Sequence, residues 1–265
     1  MAHNYYNSNK AYVVGQNDPY KISRSKIELF RQCPRCFWLD ARMKIKRPSG
    51  PPFSLNKAVD ELLKKEFDSY RIKQEPHPIM LEYNIKAVPF KHRDLDKWRE
   101  NFVGVGYQDE ATNLFIFGAV DDIWIDDNDA VIVVDYKATS KTSDINIDAE
   151  WQDSYKRQVE IYQWLMEKNG FKVSNKAIFI YTNALVESNG FNDRLEFKTK
   201  LIEYDADRSW VGGTIKDIKA CLEGEIPEVG VAAMGGVCEF CDYARKRTAM
   251  TLDSLANKKN KKRYN

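Results

Sequence analysis

The 265-residue sequence has no apolar run approaching the ~20 residues that a membrane span needs. Its first twenty residues, MAHNYYNSNKAYVVGQNDPY, are polar and lack the apolar core of a signal peptide, so a cytoplasmic location without membrane association is expected. Net charge is small: 41 basic against 39 acidic residues give +2, which excludes chromatin-type binding by bulk charge and leaves local patches for any nucleic-acid contact. Cysteines number five, an odd count, so a disulfide framework is not expected and a reducing compartment is the default. No internal repeat is found. What is present is enough for a full core: 43% hydrophobic and 12% aromatic residues in a chain of this length.

The pattern along the chain alternates helix and strand. Residues 1–20 read as a flexible arm, 21–250 as one domain and 251–265 as a basic disordered tail. A helix is expected from Ser23, a good N-cap, until Cys33-Pro34 interrupts it, and another over Leu55–Arg71. Residues 47–52, RPSGPP, read as a loop, and 72–113 give no clear order. Strands are expected at Leu114–Ile125 and Ala130–Lys137, joined by the acidic turn 126-DDND-129. A long amphipathic helix over Ala149–Lys168 ends at Gly170, then strands follow at Ala177–Thr182 and Arg194–Tyr204 and a helix at Ala206–Leu222. The class is α/β.

One hairpin carries the chemistry. Asp135 and Lys137 lie two apart on a strand and project to one face. A hairpin centred on Asn128 pairs residues whose numbers sum to 256, setting Asp121 opposite Asp135. Like charges so opposed, with Cβ atoms about 4.5–5.5 Å apart, destabilise a sheet. A divalent cation such as Mg²⁺ or Mn²⁺ resolves the conflict by taking carboxylate oxygens as ligands; a structural salt bridge between Asp135 and Lys137 is the other reading. Two further triplets, Glu196-Phe197-Lys198 and Asp217-Ile218-Lys219, lack such an acidic hairpin partner or lie on a helix, where i and i+2 do not share a face. Trp151, Tyr155, Gln158, Tyr162 and Leu165 form one helical stripe in which the amide of Gln158 stands out, since a buried amide needs partners. Lys156 and Arg157 nearby read as solvated charges or as phosphate contacts. Cys33-Pro34-Arg35-Cys36 and Cys238-Glu239-Phe240-Cys241 are two CxxC pairs, four thiols that suit zinc, a [4Fe–4S] cluster or plain packing, with Cys221 expected to be buried in a helix.

Together these residues resemble the PD-(D/E)XK nuclease superfamily, in its RecB-type and CRISPR-adaptation-nuclease branch. Gly118-Ala119-Val120-Asp121 and Val133-Val134-Asp135-Tyr136-Lys137 match its two central motifs, and Gln158 to Tyr162 matches Q-x-x-x-Y. The opening 23-SRSKIELFRQCPRCFWL-39 is similar to S-x-S-x-L…CP-x-x-F, and Cys238 to Cys241 to the closing cysteines. The resemblance implies a restriction-endonuclease-like core, a central mixed sheet flanked by helices, with an N-terminal helical segment and a C-terminal cysteine-bearing segment. It implies a Mg²⁺- or Mn²⁺-dependent deoxyribonuclease acting on ends or single strands, in DNA repair, recombination or mobile-element defence. Metal ligands would be Asp121, Asp135 and the Tyr136 carbonyl; Lys137 would orient water, and Gln158 and Tyr162 would border the site. Two departures are visible. Asp60, in 56-NKAVD-60, stands where the branch has a metal-binding histidine; a carboxylate also binds a hard cation, so Asp60 is expected as a further metal ligand, while the change keeps open a non-catalytic nucleic-acid or partner-binding domain on the same fold. Arg247 stands where the branch's cluster proteins have a last cysteine.

Overall fold

The computed structural model describes residues 10–50, 54–187, 189–230 and 236–263; the first nine residues of the expected arm and the last two of the expected tail lie outside the described residues. The elements in order are β1 (Tyr20–Ser23), α1 (Arg24–Gln32), α2 (Pro34–Met43), α3 (Ser54–Lys73), α4 (Pro78–Glu82), β2 (Ala87–Pro89), α5 (Leu95–Arg99), β3 (Val105–Asp109), β4 (Leu114–Gly118), β5 (Asp122–Asp126), β6 (Val131–Thr139), α6 (Asp153–Lys168), β7 (Lys176–Ala184), β8 (Phe197–Asp205), α7 (Trp210–Glu223) and α8 (Glu239–Arg263).

A five-stranded mixed sheet, β2-β5-β6-β7-β8, forms the centre, and β1-β4-β3 make a smaller one. β6 and β7 pair in parallel, a geometry that requires a crossover, and α6 supplies it. The β5–β6 hairpin has the expected register, Asp122 facing Val134 and Ile125 facing Val131, sums of 256. Its turn is held by Asp126, whose Oδ1 accepts from the backbone N–H of Asn128 at 2.9 Å and of Ala130 at 2.8 Å. The sheet is covered on both faces. Val131, Val133 and Ile123 pack toward α1, α6 and α7, while Ile132, Val134, Tyr136 and Trp124 pack toward Phe67 of α3 and Met80 of α4. The alternation of β6 is therefore read out by two separate cores.

The structure corrects the single strand expected over Leu114–Ile125. β4 and β5 belong to different sheets, broken at Gly118 to Asp121. A Cβ on Gly118 would stand 2.5 Å from the Tyr162 ring, and the chain is diverted by the bond from Val120 N–H to Trp98 O at 3.0 Å. Near the N-terminus, Tyr12 is buried, with its N–H donating to Ala41 O at 2.9 Å, so the described part of the expected arm is docked. At the other end α8 continues through Arg263, where a disordered tail is expected from 251; it is exposed along 251–257. No helix among the described residues is long and apolar enough to cross a membrane.

Candidate active site and thiol centre

Two adjacent aspartates at the start of β5 meet opposite fates. Asp122 points to the α3 face and is fully buried, with the guanidiniums of Arg71 and Arg99 and the hydroxyl of Tyr136 donating to it, the last two at 2.9 and 2.7 Å. Burial and the Asp122 carboxylate push the Tyr136 hydroxyl well above its ordinary pKa. That charge is satisfied and serves the fold. Asp121 points to the α6 face, toward Asp135 and Lys137. Its Oδ2 accepts from the Tyr136 backbone N–H at 3.0 Å, across the end of the hairpin.

Asp135 is completely buried, and its Oδ1 has no hydrogen-bond partner among the described residues. Lys137 pairs with the carboxylate and lies over the Tyr155 ring, 4.6 Å from its centroid. Burial pushes the Asp135 carboxyl up to about 7; Lys137 opposes that rise and Asp121 adds to it. For Lys137, burial alone would lower the pKa, but Asp135 and then Asp121 reverse this and hold the ammonium charged. Asp60, on the first turns of α3, completes the acidic group. Its Oδ2 accepts from Lys64 at 2.7 Å, its buried Oδ1 has no partner among the described residues, and burial followed by the Asp121 charge raises its pKa. α3 is tethered there by Asn56, whose side-chain amide donates to Ala138 O at 3.2 Å, just past the triplet on β6.

α6 closes the site from above. The amide of Gln158 donates to the Tyr162 hydroxyl at 3.3 Å, and both are buried. Burial raises the Tyr162 pKa; Arg24 opposes this, and Asp121 and Asp135 add to the rise, so the hydroxyl sits in the field of both carboxylates. Arg24 is a residue the sequence reading missed. It opens α1, lines the cavity beside Gly118 and Tyr162, and its charge acts on Tyr162, Asp135 and Glu28. Its one signal was its place between Ser23 and Ser25, a stretch read for its serines. Of the other candidates, Trp151 is half exposed, off the buried stripe. Arg157 makes two 2.8 Å bonds to Glu28 and Lys156 pairs with Asp153 at 3.0 Å, so neither is a free phosphate ligand.

The second constellation is closed. Cys33, Cys36, Cys238 and Cys241 bring all four sulfurs within 4.8 Å of one another, the one set of three or more metal-ligating side chains so gathered among the described residues. Cys33 sits in extended backbone between α1 and α2 and caps both, its sulfur accepting from Cys36 N–H at 3.5 Å. Gly230 is needed beside it, since an added Cβ would meet the Cys33 sulfur at 2.6 Å. Burial would raise the Cys33 thiol, but hydrogen bonds from Cys36, both backbone and side chain, then from the Gly230 backbone and the Cys241 thiol, outweigh it and hold the pKa at about 7. Arg47 donates to the Cys238 sulfur at 3.3 Å. Cys221 lies on α7 as expected but is only partly buried, and it is not among the four clustered thiols.

A family model described as the PD-(D/E)XK nuclease superfamily matches residues 54–245, the span that holds the hairpin, its D-x-K triplet and the crossover helix. The chain belongs to the PD-(D/E)XK nuclease superfamily. The mixed sheet flanked by helices is that superfamily's restriction-endonuclease-like core. Among curated proteins none matches. A solved structure, the crystal structure of SSO0001, is similar at 17% identity and a TM-score of 0.36, over 78% of this chain and 77% of that one.

Membership makes this a nuclease fold, and the carboxylate pocket fits the divalent cation such nucleases use. Asp135 Oδ1 and Asp60 Oδ1 are buried acceptors without donors, and crowded carboxylates of one sign are stabilised by a hard cation. The thiol tetrad fits a metal by its donor set and spacing.

Proposed function

We propose that the chain is a metal-dependent deoxyribonuclease hydrolysing phosphodiester bonds at ends or in single strands, as a DNA-repair, recombination or mobile-element-defence enzyme would. The observation that carries the reading is the buried Asp135, unsatisfied at Oδ1, beside Asp121 and a lysine kept charged. Asp121, Asp135, Asp60 and the Tyr136 carbonyl would hold Mg²⁺ or Mn²⁺, which when bound supplies Lewis acidity and a water of lowered pKa. Lys137 orients the attacking water and offsets charge gathering on the phosphate. Tyr162, with Gln158 fixing its hydroxyl, borders the site and shields it from the apolar core. Supporting the assignment of Asp60 is its position against Asp121, which lets a carboxylate serve where the resembling branch uses histidine.

For the thiols, the proposal is one structural zinc. Sulfur separations of 3.8 Å for Cys33–Cys241, 3.8 Å for Cys36–Cys238 and 3.5 Å for Cys36–Cys241 lie near the tetrahedral edge of about 3.8 Å that follows from Zn–S bonds of about 2.3 Å. A [4Fe–4S] cube carries one thiolate on each iron corner and needs the sulfurs further apart.

The test is incubation with end-labelled single- and double-stranded DNA with Mg²⁺ or Mn²⁺, or with EDTA. Cleavage that EDTA abolishes is expected. No cleavage under any divalent cation would leave the non-catalytic binding domain as the reading.

A further inference from the structure

Beside the carboxylate pocket runs a groove of about 370 Å³ between β1, the start of α1, the end of α2 and the turn at Asn101–Phe102. Gly118 and Tyr162 line it, and Tyr162 lies in the field of Asp121 and Asp135, so the groove adjoins the candidate active site. Five cations line it: Lys21, Arg24, Lys26, Lys44 and Lys46. Of these only Lys26 has a salt-bridge partner, Asp40, among the described residues. Arg24 also faces Asp135 and Glu28, whereas Lys21, Lys44 and Lys46 have no salt bridge among the described residues; burial and then Lys26 hold the Lys44 ammonium below its ordinary pKa, with Asp40 opposing. A near-neutral chain has thus gathered three lysines without salt bridges, with Arg24 and Lys26 among them, in a groove beside its candidate active site.

The outer wall has a second feature. Phe102 is 78% exposed, and its backbone adopts φ of +72°, a conformation that bulky residues rarely take. That turn is braced from below: Lys21 donates to Phe102 O at 3.4 Å, and its ammonium lies 4.7 Å from the Phe117 ring centroid. An apolar ring presented to water from a strained, braced turn beside a row of cations is the combination that single strands are gripped by, since an unpaired base has a free face to stack and its phosphates meet lysines. A base inside a duplex is already stacked on both faces and gains nothing from such a ring.

We propose that this groove is a non-catalytic binding site for single-stranded DNA that leads the strand into the active site, with Phe102 stacking a base, Lys44 and Lys46 contacting its phosphates, and Arg24 meeting the phosphate nearest the carboxylates. The proposal rests on the nuclease reading for the strand's destination but not for its binding. The experiment is therefore done without catalysis. Asp135→Ala protein in EDTA is titrated against a fluorescent oligothymidine strand and against a hairpin duplex of equal charge, with anisotropy as the readout. The strand is expected to bind more tightly than the duplex. Adding Phe102→Ala should weaken strand binding about tenfold and leave duplex binding unchanged. Adding Lys44→Glu with Lys46→Glu should weaken strand binding by at least as much and flatten its salt dependence. Lys198→Glu with Lys200→Glu, on a different rim, should change neither. Phe102, Lys46, Lys198 and Lys200 are exposed and Lys44 is half-buried, and unchanged melting temperatures confirm folding. Strand affinity equal to the parent's in both the Phe102 and the lysine variants, or no strand binding by the parent, overturns the groove; so does tighter binding of the duplex. A protein that cleaves DNA yet fails this test loses the groove and keeps the nuclease reading, while one that passes without ever cleaving keeps the groove alone.

Discussion

The two ends of α1 reach two sites built on opposite terms. At its N-terminal end Arg24 lines the pocket of Asp60, Asp121 and Asp135, where like charges crowd and buried oxygens lack donors. At its C-terminal end Cys33 joins three other thiols whose sulfurs already lie within 4.8 Å of one another. Catalytic metal sites keep an open position, whereas structural ones are closed by protein ligands. One face of α1 also joins them: Arg47 donates to Cys238 at 3.3 Å and to Gln32 at 2.7 Å, and Gln32 donates to Glu28 at 3.1 Å, which in turn holds Arg157 of α6. The contrast teaches that a site's frustration, more than its tightness, marks where chemistry is done.

The hardest way to break the comparison is to empty the open site. Asp135→Ala, Asp121→Ala and Lys137→Ala should each lower cleavage by about 10²–10³-fold or more while the circular-dichroism spectrum stays that of the parent. Glu196→Ala, in the exposed look-alike triplet ahead of β8, should cleave like the parent in the same assay.

The closed site should answer in stability instead. Changing Cys238 and Cys241 to serine removes a link between segments more than 200 residues apart, Cys33 and Cys241 being separated by 208. In the chain-entropy view closing a loop of that length is worth about 5 kcal/mol, or a fall of at least about 10 °C in melting temperature for a domain of this size. Cleavage per folded molecule should change far less. Elemental analysis of the purified parent should find stoichiometric zinc; absorbance near about 400 nm would indicate an iron–sulfur cluster. Protein free of both metals, melting like the double variant, would return the cysteines to ordinary packing.

A milder change sharpens the boundary of the open site. Asp60→Ala should raise the metal concentration for half-maximal cleavage about tenfold, and Asp60→His should raise it less. Equal metal dependence in all three proteins would make Asp60 a surface residue paired with Lys64.

The smallest expected effect comes from protons. Asp135 is held at about 7 in the folded, metal-free chain, above the value near 3.9 of an unfolded aspartate. The folded state therefore binds that proton more tightly. The stability it lends is complete below the unfolded pKa and is lost as pH rises through about 7. Melting temperature of the metal-free protein should fall by a few degrees between about pH 5 and 8, and Mg²⁺ should flatten the slope because it replaces the proton. Asp135→Asn should remove this part of the slope.

Much of this was legible in the sequence, for local reasons. The turn 126-DDND-129 sets the hairpin register through Asp126, so Asp121 and Asp135 could be paired on paper. Cys33-Pro34 stops one helix and starts the next, since proline has no N–H to donate and sits at the first position of α2. What could not be read depends on distant partners. Nothing in 114-LFIFGAVDDIWI-125 says that the chain changes sheets at Gly118; the reason is the Tyr162 ring, 44 positions later. Asp122 looks no different from Asp121 until Arg71 and Arg99 come to it from α3 and α5. Arg24 likewise has no local pattern, because its role is set by what α6 and β6 place around it.

The most direct test of the contrast between the open and closed sites is a single chelation experiment on the intact protein. After brief exposure to EDTA and its removal, single-strand cleavage, melting temperature and bound zinc are measured before and after Mg²⁺ is restored. The account predicts that cleavage vanishes and returns with Mg²⁺, while zinc content holds near its starting value and melting temperature moves by no more than the few degrees that Asp135 accounts for. Cleavage that persists without divalent cation, or that returns equally in Asp135→Ala protein, would contradict it.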